Sequence, residues 1–100
     1  LITEIALEGY KQYTESIIKS ADIKLDGTYY PTTVQKKERL TDGRIAVYLL
    51  IDNTDTENER MISEVRIFNT NDEVWLVKSE NIKIKQESLL YRFIIGIEEG

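Results

Sequence analysis

Apolar residues recur at spacings of three and four along the start of the chain: Ile2, Ile5, Ala6, Tyr10, Tyr13, Ile17 and Ala21. That period lines one face of an α-helix and predicts an amphipathic helix whose stripe, Tyr10 and Tyr13 included, packs into the core. Thr3 is placed to cap its N-terminus, with Glu4 favourable against the dipole in the first turn. Gly9 lies inside the pattern at a cost of about 1 kcal/mol relative to Ala, tolerated where another backbone comes close. Ser20 to Asp22 is the expected exit.

Beyond residue 22 the period changes to two. Ile23-Lys24-Leu25, Asp26-Gly27 and Thr28-Tyr29-Tyr30 have the form of a tight hairpin, because Asp-Gly supplies the positive φ angles of a type I′ turn. Pro31 is expected to end that strand or leave it at an edge. Val34 to Leu40 reads as a weak polar strand, followed by a turn at Thr41-Asp42-Gly43. From Arg44 to Ile51 both phases are apolar: Ile45, Val47, Leu49 and Ile51 against Ala46, Tyr48 and Leu50. A strand covered on both faces, central in its sheet, is the expectation. Met61 to Phe68 and Glu73 to Lys78 flank the turn residues Asn69 to Asp72. A last strand spans Leu89 to Ile97, and Asn81 to Ser88 is left as either a short strand or a loop. The sum is an α+β chain: an N-terminal amphipathic helix packed on an antiparallel β-sheet or small β-sandwich of five to seven strands. One hundred residues make a single domain, 1–100, which buries roughly two-thirds of the surface its unfolded chain exposes.

Composition narrows the chemistry more than it identifies it. With no Cys and no His, there is no disulfide framework, no thiolate site and none of the commonest general base or metal ligand. Lack of Cys fits a reducing cytosol without requiring one. Thirteen Lys and Arg against eighteen Asp and Glu give a net charge of −5. Such a field repels nucleic acid and anionic membrane, and the basic run Lys36-Lys37-Glu38-Arg39 has an acid inside it. No apolar stretch is long enough to span a membrane, and the N-terminus lacks the layout of a signal peptide. The chain opens at Leu1 rather than Met, which is compatible with a cleaved product or an excerpt of something longer.

The carboxylates do not announce a reaction. Asp26, Asp42 and Asp72 fall where turns ask for Asp. Glu64 lies inside an apolar strand, where strict alternation puts it on the same face as Ile62, Arg66 and Phe68; it is either half of a cross-strand ion pair or a general acid. The polar run Asp52 to Glu59 is an exposed loop, read either as a solvated connector or as an irregular calcium site. It does not fit an EF-hand: counted from Asp52, position 6 is Glu57 and position 12 is Ser63, where Gly and Glu are needed. No cofactor or metal site is expected, nor enzymatic activity.

The aromatic residues suggest more. Tyr29 and Tyr30 are adjacent in a strand and so point to opposite faces, and Trp75 stands between Val74 and Leu76. Exposed aromatics beside a hairpin suit a protein–protein contact, which makes Tyr29, Tyr30, Phe68 and Trp75 the candidate partner-binding residues. A small carbohydrate-binding module using the same Tyr and Trp side chains is the alternative.

The order of the pieces carries a resemblance. A helix opened by TEIALEGYKQY (3–13) is followed by DGTYYPT (26–32), a central apolar strand, SEVRIFNTNDEVW (63–75) and a closing apolar strand. This layout resembles the N-terminal domain of phage tail-collar fibre proteins, with an initial helix, a Gly turn into a Tyr-x-Pro-Thr stretch, and an "EVGIFD-x-x-G" hairpin. The matching positions are Tyr29, Tyr30, Pro31, Thr32, Glu64, Val65, Ile67, Phe68 and Asn71. Arg66 stands where that family tends to have Gly, and Asn71-Asp72 replaces the hairpin glycine. The resemblance implies a non-enzymatic attachment module of a phage or prophage tail, assembled in the bacterial cytoplasm. Its partners would be other tail or baseplate proteins, or itself as a homo-oligomer.

Overall fold

The computed structural model describes residues 2–52, 59–85 and 88–97. Helix α1 (Glu4–Ile17) precedes six strands: β1 (Ser20–Leu25), β2 (Thr28–Arg39), β3 (Ile45–Asp52), β4 (Arg60–Phe68), β5 (Val74–Ile84) and β6 (Ser88–Ile95). They form one antiparallel sheet in the order β5-β4-β1-β2-β3-β6. The chain is thus an α+β fold with one helix on a curled six-stranded sheet. The former loop-or-strand segment 81–84 belongs to β5. Residues 53–58, which hold most of the acidic loop, lie outside the described residues.

Turn chemistry sets the register of the first hairpin. Asp26 and Gly27 have φ of 47° and 85°, the two positive angles of a type I′ turn. Leu25 therefore faces Thr28, and the ladder runs on to Ala21 opposite Thr32. Gly43, at φ 88°, turns β2 into β3, where the Leu40 N–H donates to the Arg44 carbonyl at 2.8 Å. A Cβ at Gly43 would also stand 2.8 Å from Lys11 Nζ of the helix.

β2 is the strand that curls the sheet. Its residues 28–32 pair with β1 and its residues 33–39 pair with β3, with a shift of register between Val34 and Lys36. The two segments expected as separate strands are one, and Pro31 does not end it. In a two-residue hairpin the closing pair is hydrogen-bonded and pairs alternate from there, so Pro31, opposite Asp22, falls in a non-hydrogen-bonded pair. Its missing N–H would have pointed to the β3 side, where pairing begins only at Thr33. On that side the proline is at an edge inside an internal strand.

A bulge corrects the expected phase of β4. Leu25 pairs with Ile62 and Lys24 with Glu64, leaving Ser63 as the extra residue. Ile62 consequently turns inward with Val65 and Ile67, while Glu64 stays on the outer face with Arg66 and Phe68. The core gathers Ile23, Leu25, Ile45, Val47, Leu49, Ile51, Ile62, Val65, Ile67, Tyr91 and Phe93. In β3 the opposite phase is covered too: Ala46 is buried, and Tyr48 and Leu50 are half-buried. The curl brings the outermost strands together, and the buried Tyr91 hydroxyl of β6 donates to the Glu80 carboxylate of β5. Burial and that bond push the Tyr91 phenol well above its ordinary pKa.

The bulge has a direct consequence for stability. Ile62→Ala should lower unfolding free energy by about 3 kcal/mol through transfer loss and cavity formation, whereas Glu64→Ala should leave the urea midpoint nearly unchanged. Similar losses at the two positions would mean that they share one environment, as unbroken alternation requires.

Candidate interaction surfaces

The helix is turned the other way from the expectation. Ile5 is 86% exposed and Tyr13 59%, and Ile2, Ala6, Gly9 and Tyr10 are also exposed; of the expected stripe only Ile17, half-buried, and Ala21, buried in β1, are covered. Thr14 is buried, with Leu7, Lys11 and Glu15 half-buried and Ile18 sealed in the core just past the helix end. On a helical projection the charged residues Glu4, Glu8, Lys11 and Glu15 crowd into an arc of roughly 60°. From Gln12 round through Ile5, Gly9 and Tyr13 to Tyr10 the helix has no charge at all.

The charged arc is what attaches the helix to the sheet. Arg39 of β2 donates to Glu8 at 2.7 Å and also to the Glu15 carboxylate. Lys37 donates to the carbonyls of Glu15 at 2.6 Å and Ile18 at 3.2 Å. The helix has no basic residue in its last turn, so Lys37 supplies from another strand the positive charge that the helix C-terminus favours. The Arg39 guanidinium holds the Glu8 carboxyl below the usual carboxylate range. At the N-terminus Thr3 Oγ1 accepts from the Ala6 N–H at 3.1 Å. Leu7 and Lys11 face the β2–β3 turn and the end of β6 across a cavity of about 280 Å³ lined by Gly43, Arg44 and Ile97.

The outer face of the sheet brings together two of the four candidate residues. Asp22, Lys24, Tyr29, Glu64, Arg66 and Phe68 share that face by register. Arg66 donates twice to Asp22, from Nε at 2.8 Å and Nη2 at 2.6 Å. Its guanidinium lies 3.5 Å from the Tyr29 ring centroid and 5.2 Å from that of Phe68. This is a bidentate pair stacked on an aromatic face, the geometry only arginine supplies. The Tyr29 hydroxyl donates to Glu64 at 2.7 Å, and that bond pushes the phenol up. Glu64 therefore takes a tyrosine hydroxyl as its hydrogen-bond donor, where a charged partner was one expectation. The face is filled but electrically balanced.

Tyr30 is not part of that cluster. It sits opposite Ile23 in the inward phase, and its hydroxyl accepts from Arg60 Nη2 at 3.3 Å. It lines a cavity of about 270 Å³ with Pro31, Thr32, Ile51, Asp52 and Arg60. Trp75 is the unpaired residue of a second bulge, between Ile67–Leu76 and Phe68–Val74, which resolves how it can stand between two apolar neighbours in one strand. It is 44% exposed, and Val77, opposite Arg66, is 54% exposed. Val74 pairs with Phe68 and Val77 with Arg66, so Phe68, Val74 and Val77 give the outer face an apolar end near the β4–β5 turn, with Trp75 exposed beside Val74 in the chain.

Val74 and Val77 were missed as surface residues because alternation in an edge strand does not say which face is covered. The exposure of Ile5 and Tyr13 had a visible signal: charges confined to one narrow arc of the helix, opposite two cations in the next polar strand. Among the described residues no group of three or more carboxylates is placed to hold a metal ion, and no helix is long and apolar enough to cross a membrane. No protein-family model, curated protein or solved structure matches the chain.

Acid should release the helix before the sheet. Glu8 has a folded pKa below its unfolded value, so its contribution is present above about pH 4.3 and is lost as pH falls through the folded value. Amide chemical shifts of Glu4–Ile17 should move together below pH 4 while those of β3 hold, and Arg39→Met should show the same displaced helix at pH 7. Simultaneous loss of helix and sheet would contradict this attachment.

Proposed function

We propose that this chain is a non-enzymatic structural module that works by protein–protein contact, as a component of a phage or prophage tail assembled in the bacterial cytoplasm. One observation supports the assembly reading above the others: the uncharged arc of α1 faces solvent while Glu8 and Glu15 of its charged arc are paired with Arg39 of the sheet. In a free monomer that orientation leaves Ile5, Tyr10 and Tyr13 without cover, and contiguous exposed apolar surface marks an interaction site. The apolar end at Phe68, Val74 and Val77, with Trp75 exposed beside it, supports the same reading. The tail assignment rests on the order of helix, DGTYYPT stretch and SEVRIF hairpin.

Of the residues first singled out, Phe68 and Trp75 are the proposed contacts. Tyr29 serves them indirectly by holding Arg66, and Tyr30 is engaged by Arg60. The carbohydrate reading is weaker, because a sugar stacks on a free ring face and one face of Tyr29 is occupied by the guanidinium at 3.5 Å.

Tail location is tested by immunogold labelling of particles induced from the source bacterium. Gold at the tail or baseplate is the expected result. Label confined to the soluble fraction, with unlabelled particles, would overturn the tail assignment.

A further inference from the structure

We propose that the cavity between α1, the β2–β3 turn and the end of β6 binds a small oxyanion, a carboxylate or phosphate group held between Lys11 of the helix and Arg44 of the sheet. The proposal does not depend on the assembly reading. The cavity, of about 280 Å³, is lined by two cationic side chains, Lys11 and Arg44, against one carboxylate, Asp42.

The carboxylates around Lys11 all have other partners. Asp42 Oδ1 accepts from the Arg44 N–H at 3.0 Å and its Oδ2 from Arg44 Nε at 2.7 Å. Glu8 and Glu15, one helical turn to either side of Lys11, are both taken by Arg39. Lys11 is left half-buried, with no hydrogen bond or ion pair among the described residues. Its ammonium lies close against the turn, 2.8 Å from where a Cβ of Gly43 would stand. Withdrawing a charge from water without a counter-charge is unfavourable, and an anion in the cavity relieves that cost.

Arg44 supplies the second contact. Asp42 holds its Nε, and the terminal guanidinium nitrogens have no acceptor among the described residues. The stem of Arg44 runs past Gly96, whose Cβ would stand 3.9 Å from both Cγ and Cδ. A guanidinium presents a planar fork that matches carboxylate or phosphate oxygens, and an ammonium adds a point charge. The volume falls just under the roughly 300–1,000 Å³ of drug-sized sites, which suits an anionic group on a short stem. Leu7 and Ile97 give that stem an apolar wall. A bound anion would bridge α1 to the start of β3, adding a ligand-dependent tie to the attachment made by Arg39 and Lys37.

Inorganic phosphate is the probe, titrated at neutral pH into the isotope-labelled chain with chloride adjusted to keep ionic strength constant. The amide shifts of Lys11, Gly43, Arg44 and Gly96 should move together and saturate, with a dissociation constant on the order of a millimolar. Hydrogen exchange in α1 should slow as the site fills. Lys11→Met should weaken binding at least about tenfold while keeping the wild-type far-ultraviolet circular dichroism, and Lys11→Arg should retain most of it. Shifts that never saturate, that spread over every basic residue, or that are equal in Lys11→Met would each overturn the site. Glu98 and Glu99 follow Ile97 in sequence and share the required chemistry, so a variant carrying Glu98→Gln and Glu99→Gln separates the two sources. Tighter phosphate binding in that variant would identify the chain's own acids as competitors for the cavity, and unchanged binding would assign it to an external anion.

Discussion

The molecule turns on how Arg39 and Lys37 hold the helix. One guanidinium bridges Glu8 and Glu15, one ammonium caps the helix C-terminal carbonyls, and together they fix which side of α1 meets the sheet. Isolated exposed ion pairs contribute little to stability. Here the pairs form a network, and the Arg39 and Glu15 side chains are each 27% exposed, partly withdrawn from water and screening. A helix docked by its charges rather than by its apolar stripe is left with an uncovered stripe, and the surface properties of the whole chain follow from that.

The sheet supplies the setting for this attachment. Because β2 changes partner midway, its residues 33–39 have no strand on the side where β1 would have continued, and it is from this segment that Lys37 and Arg39 reach the helix. The same change of partner leaves the β3 side of residues 28–32 open, where Pro31 needs no donor and the cavity around Tyr30 and Thr32 forms. Bending one strand thus creates both the seat of the helix and the pocket. The core closes inside the bend, with the Tyr91–Glu80 bond drawing the two outermost strands toward each other.

Much of the fold was legible in the residues themselves. Asp26-Gly27 dictates its turn type, the double apolar phase of residues 45–51 marks a strand covered on both sides, and Asn69 to Asp72 marks the second hairpin. What failed were inferences about direction. Ser63 inserts one residue into β4 and flips Ile62 to the core, and a bulge of this kind has no side-chain signature in a strand that otherwise alternates. Pro31 reads as a stop because a local rule cannot know that its N–H side is open. The helix stripe was identified correctly as a stripe but not in orientation, since apolar periodicity reports a face without saying whether its own chain covers it. Alternation placed Arg66 on one face with Glu64 and Phe68, but its stacking on Tyr29 depends on register across three strands.

The chain contains no cysteine, so a single introduced thiol reports its own position without background. Thiol-labelling rates at Ile5→Cys, Tyr13→Cys and Thr14→Cys, taken at low protein concentration and neutral pH, test the orientation of the helix most directly. The account predicts that positions 5 and 13 react nearly as fast as in the urea-unfolded chain, while position 14 reacts at least about tenfold more slowly. Protection at 5 and 13 with fast labelling at 14 would mean that the apolar stripe faces the sheet, and the account of attachment and assembly would be wrong.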